Sequence, residues 1–293
     1  MASEAVRLVH RGYPTVERSA LPVIPRGWVL IRVGLGVWNG TERAVSQGLV
    51  WVEPGRVLGA EGLGVVVKRG VGADIDEGVL VVLSRVPKEG LPGVAINGWL
   101  ASYTSLPFSS LAQLDKGVCK REPRACALAF SAGLGIAAVI SSHGELGVLG
   151  CGFSSLSAAL ASMEYGATTR LYCLDSIGAR IASRLGLEVL SAKRREPKEE
   201  TLYLASIDPR LVRLVENRRG SRLLLHPIFL HYPPPRTIDT YTSVLRESRV
   251  HEGVKLLLKH IDFLDAAVGH ADLEALPYSH GKLAIIARLH NVV

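Results

Sequence analysis

A glycine-containing turn is the segment of this 293-residue chain whose residue types are best suited to chemistry. Gly150 and Gly152 follow the apolar run Leu146–Leu149 and precede a helix-like stretch, Leu156–Glu164. Glycines let backbone N–H groups approach a pyrophosphate closely, and a helix that begins there favours negative charge at its N-terminus. The spacing therefore predicts a dinucleotide phosphate site formed by Gly150, Gly152, Phe153, Ser154 and Ser155.

An acidic residue follows at the distance that adenosine recognition requires. The strand-like run Arg170–Leu174 ends in Asp175, about 20 residues beyond the turn, where a carboxylate can accept hydrogen bonds from a ribose. A carboxylate repels a 2′-phosphate, which favours NAD, although Arg170 and Arg184 leave NADP open. Arg180, one helical turn further on, is either an adenine contact or a surface arginine.

The third glycine of the usual dinucleotide fingerprint is replaced by Ser155. That glycine normally permits close packing between helix and strand. Two interpretations therefore stay open: a turn that binds a nicotinamide dinucleotide, and a turn in a related fold that has stopped binding nucleotide.

The composition is that of a globular protein with a substantial core. Hydrophobic residues make up 48% of the chain, charged residues 21%, and the net charge is +7. The basic residues are scattered, and their two clusters, Lys193–Arg195 and Arg218–Arg219, contain no aromatic residue, which argues against nucleic-acid binding. The apolar run Ala125–Ile140 is short for a membrane span and favours a buried helix.

The cysteines show no metal-binding or framework spacing. Cys119, Cys126, Cys151 and Cys173 form no Cys-x-x-Cys pair, so neither a disulfide framework nor a zinc knuckle is expected. Cys151 is either a thiol activated by the helix N-terminus or a packing choice. The chain start lacks the order of a signal peptide, and glutamine and methionine each occur only twice, which together favour a heat-adapted cytoplasm.

The secondary structure that the sequence predicts changes near residue 120. Strand-like runs separated by Gly and Pro precede it (Trp28–Val33, Gly62–Lys68 and Val79–Ser84), and helix–strand alternation follows. The predicted helices are 125–141, 154–165, 177–185, 209–217 and 251–260, and the predicted strands are 146–149, 170–174, 188–190, 201–205, 221–226 and 282–289. This pattern predicts a β-rich domain (1–120 and 246–293) interrupted by a dinucleotide-binding domain (121–245), with the pair Glu199–Glu200 on a solvated face.

Five segments in this order resemble the medium-chain dehydrogenase/reductase superfamily. They are Gly27–Gly48, Pro54–Val66, Asn97–Tyr103, Gly150–Ser155 with Asp175 and Arg180, and Leu273–Leu289. The resemblance implies an α/β fold in which a Rossmann doubly wound parallel sheet is inserted in a GroES-like β-barrel domain. It also implies an oxidoreductase whose nicotinamide cofactor lies in the cleft between the two domains.

The departures from this family concern its catalytic zinc. The three ligand positions are occupied by Asn39, Ala60 and Phe130, none of which is a zinc donor, so no family-type zinc is expected. Glu61 persists, either to orient water or substrate or as a structural hydrogen-bond acceptor. An asparagine at the first position is similar to the zinc-free quinone-reductase branch, where hydrogen-bond donors polarise the substrate carbonyl.

Two hydroxyl groups are candidate donors by this resemblance. Thr41 matches the proton-relay position of the zinc enzymes, and Tyr103 supplies a phenol; ordinary packing is the alternative for each. Two functions follow: a zinc-independent NAD(P)-dependent oxidoreductase acting on a small carbonyl, enone, quinone or alcohol, or a non-catalytic binding or scaffold relative. A homodimer is expected through an edge strand at Ile228–Tyr232, which the prolines 233–235 end or shield.

Overall fold

The computed structural model describes residues 4–174, 176–193, 195–216, 220–232 and 242–290. In chain order the strands are β1 (Glu4–His10), β2 (Pro14–Ala20), β3 (Trp28–Trp38), β4 (Arg56–Val57), β5 (Gly62–Arg69), β6 (Leu80–Leu83), β7 (Tyr103–Pro107), β8 (Leu111–Gln113), β9 (Glu145–Leu149), β10 (Thr168–Cys173), β11 (Val189–Ser191), β12 (Thr201–Leu204), β13 (Arg222–Leu225), β14 (Thr242–Val244), β15 (Val268–His270) and β16 (Ala284–Arg288). The helices are α1 (Gly40–Ser46), α2 (Lys116–Arg121), α3 (Pro123–Ala127), α4 (Ala129–Ser142), α5 (Phe153–Tyr165), α6 (Ser176–Arg184), α7 (Pro209–Glu216), α8 (Val250–Lys259) and α9 (Ile261–Ala267). Short 3-10 turns lie at Phe108–Ser110, Pro227–Leu230 and Leu273–Tyr278.

The described chain divides into two compact units. The first extends to Phe130 and resumes at Val268, and the second is Ser131–Ala267. The predicted boundaries, after residues 120 and 245, lie earlier in the chain than the observed ones, which follow Phe130 and Ala267. The differences arise because α3 packs on β3 and β5 of the first unit, whereas α8 and α9 pack on α5 and α6 of the second.

The first unit is built around β3, the longest strand of the described residues, whose buried aliphatic side chains make it central. Its main sheet has the order β15-β16-β3-β5-β6-β8, with β7 also pairing with β3, and a smaller sheet has the order β2-β1-β4. β3 pairs antiparallel with β5 so that Gly36 lies opposite Gly62. This register brings the end of β3, where the chain turns into α1, next to the start of β5.

The second unit contains a parallel sheet with the order β11-β10-β9-β12-β13-β14 in the described residues. The paired strands of this sheet are parallel in the described residues, and their order is the doubly wound 3-2-1-4-5-6 arrangement in which dinucleotides bind at the point of reversal. The predicted helices and strands from 146 to 226 are confirmed to within a few residues. The reversal point lies between β9 and β12, at the glycine turn.

The predicted edge strand Ile228–Tyr232 is wrong. Pro227 begins a 3-10 turn instead, and the side chain of His226 caps that turn. Pro227 lacks an N–H group and has a restricted φ, both of which favour the first position of a turn over a strand interior. The sixth position of the sheet is taken by β14, which pairs with β13.

The connection from β11 to β12 has no helix in its described residues, 192–193 and 195–200. Glu199 in this connection is buried, and its carboxylate accepts hydrogen bonds from Arg170 at 3.0 Å and from the Tyr172 hydroxyl at 3.1 Å. A Cβ atom on Gly147 would lie 2.6 Å from Glu199 Oε2, so a larger residue there would displace the Glu199 carboxylate. Assigning Glu199 to a solvated face is therefore wrong, although Glu200 is exposed.

All four cysteines are paired, which corrects the expectation of no disulfides. Cys119 in α2 bonds to Cys126 in α3, with Cα atoms 5.7 Å apart. Cys151 in the glycine turn bonds to Cys173 at the end of β10, with Cα atoms 5.4 Å apart. Spacing along the chain could not predict this, because each pair depends on which elements adjoin in the fold. Among the described residues, no helix combines the length and apolarity that crossing a membrane requires.

Candidate functional site

Gly150 occupies a backbone conformation that other residues rarely adopt. Its φ is +122°, and a Cβ atom there would lie 3.1 Å from the Ser206 Cβ and 3.4 Å from the Ser155 Oγ. Its amide donates to the Tyr172 carbonyl at 3.0 Å, which ties the turn to β10. The backbone conformation therefore favours glycine at the first position of the fingerprint, and the room for a Cβ atom there is tight.

Gly152 is the N-cap residue of α5 and faces open space. A Cβ atom on it would meet no atom within 4 Å, and it supplies no side-chain acceptor to the first helical turn. The amides of Phe153 and Ser154 in that turn can thus donate to an anion that approaches the glycine. This is the arrangement by which helix N-termini bind phosphate.

Ser155 fits the position of the missing third glycine. Its side chain is completely buried, and α5 still packs closely on α4, where a Cβ on Gly135 would lie 2.7 Å from the Ser154 carbonyl oxygen. The Ser155 Oγ has no hydrogen-bond partner in the described residues. A buried hydroxyl without a partner is costly, so this orphaned donor beside the turn fits a bound phosphate group.

The other predicted residues of this site differ in what they contribute. The Phe153 ring is buried and stacks on Phe263 of α9, with ring centroids 4.9 Å apart, so only its backbone faces the turn. Arg180 is exposed on α6. Asp175 lies outside the described residues. The Cys151 thiol is not a free nucleophile, because it is bonded to Cys173.

In the first unit the structure brings Asn39, Thr41 and Glu61 together. Asn39 follows β3 as the N-cap of α1, and its Oδ1 accepts from the Thr41 amide at 2.9 Å. Its Nδ2 donates to Glu61 Oε1 at 2.7 Å. All three residues are buried, so the amide side chain of Asn39 links the turn that carries Thr41 to the carboxylate beside β5.

Glu42, which the sequence reasoning did not select, completes this cluster. Its Oε2 accepts from the Asn39 amide at 2.9 Å, and its Oε1 accepts from the Ala60 amide at 2.7 Å. Burial raises the pKa of the Glu42 carboxyl, whereas these two backbone donors oppose the shift. The spacing Asn-x-x-Glu is a capping-box signature, so the sequence does carry a signal for this residue.

Zinc does not fit the residues at the three family ligand positions. Asn39 offers an amide already bonded to Glu61, Ala60 a methyl group, and Phe130 a buried ring. Zinc prefers thiolate, imidazole and carboxylate ligands. Within the described part of the chain, no group of three or more His, Cys, Asp or Glu residues is arranged to hold a metal.

Tyr103 does not join the Asn39 cluster. It lies in β7 opposite Arg32, six residues before the end of β3, roughly 20 Å along the strand from Trp38 at the usual rise per residue. Its ring makes an edge contact with His290, with centroids 5.5 Å apart. The register of β3 with β7 decides this separation.

No protein-family profile and no curated protein sequence matches the chain. Solved structures do match it over nearly their whole length. Acetophenone reductase from Geotrichum candidum in complex with NAD is 14% identical, with a TM-score of 0.71 and 98% of each chain covered. 2R,3R-butanediol dehydrogenase from Bacillus subtilis is 17% identical, with a TM-score of 0.68 and with 97% of this chain and 99% of that chain covered.

A third match carries both a nucleotide and a metal. Glucose dehydrogenase from Haloferax mediterranei in complex with NADP, Zn and gluconolactone is 15% identical, with a TM-score of 0.69 and 98% and 99% coverage. The chain therefore shares the fold of these solved dehydrogenase and reductase structures. The matches cover both the doubly wound sheet of the second unit and the β-rich first unit.

Proposed function

We propose that the protein is a zinc-independent NAD(P)-dependent oxidoreductase that transfers hydride between nicotinamide and a small carbonyl, enone, quinone or alcohol substrate. The observation that carries this proposal is the turn at Gly150 and Gly152. It combines a forced glycine conformation, an open helix N-terminus and the orphaned Ser155 hydroxyl at the reversal point of the sheet. The matched structures that bind NAD or NADP support the same reading.

NAD is the cofactor that the charges favour. The backbone amides of Phe153 and Ser154 would bind the pyrophosphate, and Asp175 is proposed to bind the adenosine ribose. Arg170, a rival site for a 2′-phosphate, is already paired with Glu199 at 3.0 Å and with Glu188 at 3.5 Å. Arg184 is exposed in the last turn of α6 and keeps NADP as the second choice.

The groups proposed to act on the substrate lie at the start of α1. A bound nicotinamide supplies or accepts the hydride. The Thr41 hydroxyl is the proposed donor to the substrate oxygen, where negative charge develops as hydride arrives. Asn39 is a positioning residue, since its Oδ1 holds the Thr41 amide and its Nδ2 holds Glu61. Tyr103 remains a weaker candidate because its ring contact is with His290.

A non-catalytic binding or scaffold function is the second candidate. It is favoured by the internal hydrogen bonds of Asn39 and Glu42, which use polar atoms that could otherwise serve a substrate. Such a protein would either bind dinucleotide without turning over a substrate or have lost the ability to bind dinucleotide. A homodimer and a cytoplasmic location remain predictions, and light scattering measures the first of them.

Hydride transfer is tested by following NADH and NADPH oxidation with a panel of aldehydes, ketones, enones and quinones. Thr41→Val removes the hydroxyl at similar volume and is expected to lower kcat by about 100-fold or more, whereas Thr41→Ser keeps the donor and most of the activity. Cofactor binding without turnover of any substrate class would favour the non-catalytic candidate.

A further inference from the structure

His226 is a partly buried titratable residue of the second unit that the proposed chemistry does not use. It directly follows β13, and its backbone amide donates to the Leu204 carbonyl at the end of β12, at 3.1 Å. It therefore lies at the carboxyl edge of the parallel sheet. In doubly wound folds, ligands bind beside this edge.

The hydrogen bond of the imidazole determines its tautomer. Nδ1 accepts from the Ile228 amide at 3.3 Å, so the proton of the neutral ring is on Nε2. This is the only hydrogen bond that the ring makes within the described residues, which leaves Nε2–H as a donor. Burial lowers the pKa of His226 to about 4, so the ring is neutral near neutral pH.

The sheet order places His226 on the opposite side of the glycine turn from β10. β13 is two strands from β9, which corresponds to about 10 Å at the usual strand spacing. Ser206, after β12, lies between them and faces Gly150. A dinucleotide whose adenosine lies towards β10 and whose pyrophosphate lies at the turn extends its other half across β12 towards β13.

We propose that His226 is a positioning residue whose Nε2–H donates a hydrogen bond to the carboxamide of the nicotinamide ring. This inference rests on the proposed function. A neutral donor suits both redox states of the cofactor, because an imidazolium would repel the positively charged ring of NAD⁺. The bond would fix the rotation of the nicotinamide and thereby which of its faces donates hydride.

Two variants distinguish the roles of the two nitrogen atoms of the imidazole. The side-chain oxygen in His226→Asn occupies the position of Nδ1 and keeps the cap on Ile228, but it removes the donor at Nε2. The longer amide of His226→Gln returns a donor near Nε2 and loses the cap geometry. Binding of NADH and of ADP-ribose, which lacks nicotinamide, is measured by calorimetry for each variant together with its thermal stability.

We expect His226→Asn to bind NADH about tenfold more weakly than the wild type, with unchanged affinity for ADP-ribose. His226→Gln is expected to retain NADH affinity within about threefold. If His226→Asn bound NADH as tightly as the wild type, or lost equal affinity for NADH and ADP-ribose, the role of His226 would be overturned. The proposed function would still stand. Failure of the wild type to bind either ligand would overturn the proposed function, and this inference with it.

Discussion

The Oε1 atom of Glu42 lies 2.7 Å from the backbone nitrogen of Ala60. The other carboxylate oxygen accepts from the Asn39 amide, so one buried side chain connects the start of α1 to the segment before β5. A carboxylate that receives two backbone N–H donors is well satisfied, but it cannot be replaced easily by a group that also donates. We infer that Glu42 holds the turn at Asn39 against the segment at Ala60.

Glu42→Gln is expected to lower the free energy of unfolding by about 1–3 kcal/mol. The glutamine NH₂ would face one of the two backbone N–H groups and leave it unsatisfied. Urea unfolding measures the change, and Glu274→Gln, at an exposed position, is the control. Equal stability of the two variants would show that Glu42 does not connect these segments.

Purified protein is expected to contain no stoichiometric zinc, and chelators are expected to leave its melting temperature unchanged. The reason is the donor set at Asn39, Ala60 and Phe130, which offers no thiolate, imidazole or carboxylate. Elemental analysis provides the measurement. One tightly held zinc per chain would contradict the alignment of these positions with the family ligands.

Glu199→Gln is expected to destabilise the protein by about 1–3 kcal/mol, because it removes a buried charge on which Arg170 and Tyr172 depend. Arg170 is partly exposed and can recover some hydration, which keeps the loss at the lower end for such pairs. The neighbouring Glu200→Gln is the matched control, expected within about 0.5 kcal/mol of the wild type. Similar losses in both would mean that the buried contacts of Glu199 do not stabilise the fold.

The stability of the protein should fall in mildly acidic solution because of His226. Its pKa in the folded protein is about 4, below the ordinary value of 6.5, so the unfolded chain binds a proton that the folded chain does not. The stabilisation is complete above pH 6.5 and is lost as the pH falls towards 4, by up to about 3 kcal/mol. His226→Asn keeps the cap and should remove the pH dependence of the free energy of unfolding that His226 contributes. Curves of unfolding free energy against pH that run parallel for the variant and the wild type would contradict this prediction.

The elements of the second unit are predictable from sequence because apolar runs alternate there with helical periodicity and glycine turns. Other features depend on tertiary neighbours. The pairing of Cys151 with Cys173 requires the register of β9 with β10, and the burial of Glu199 depends on Arg170 and Tyr172, which lie on β10. The separation of Tyr103 from Asn39 follows from strand register alone. Glu42 could have been selected from its capping-box spacing.

Direct binding of cofactor tests the central claim most sharply. Calorimetric titration of the wild type should show saturable NADH binding, tighter than NADPH binding. Gly152→Val should abolish both at an unchanged melting temperature, because the new side chain enters open space beside the turn and fills the room for the pyrophosphate. No binding of either cofactor by the wild type, or equal binding by Gly152→Val, would contradict the assignment of this turn as a dinucleotide site.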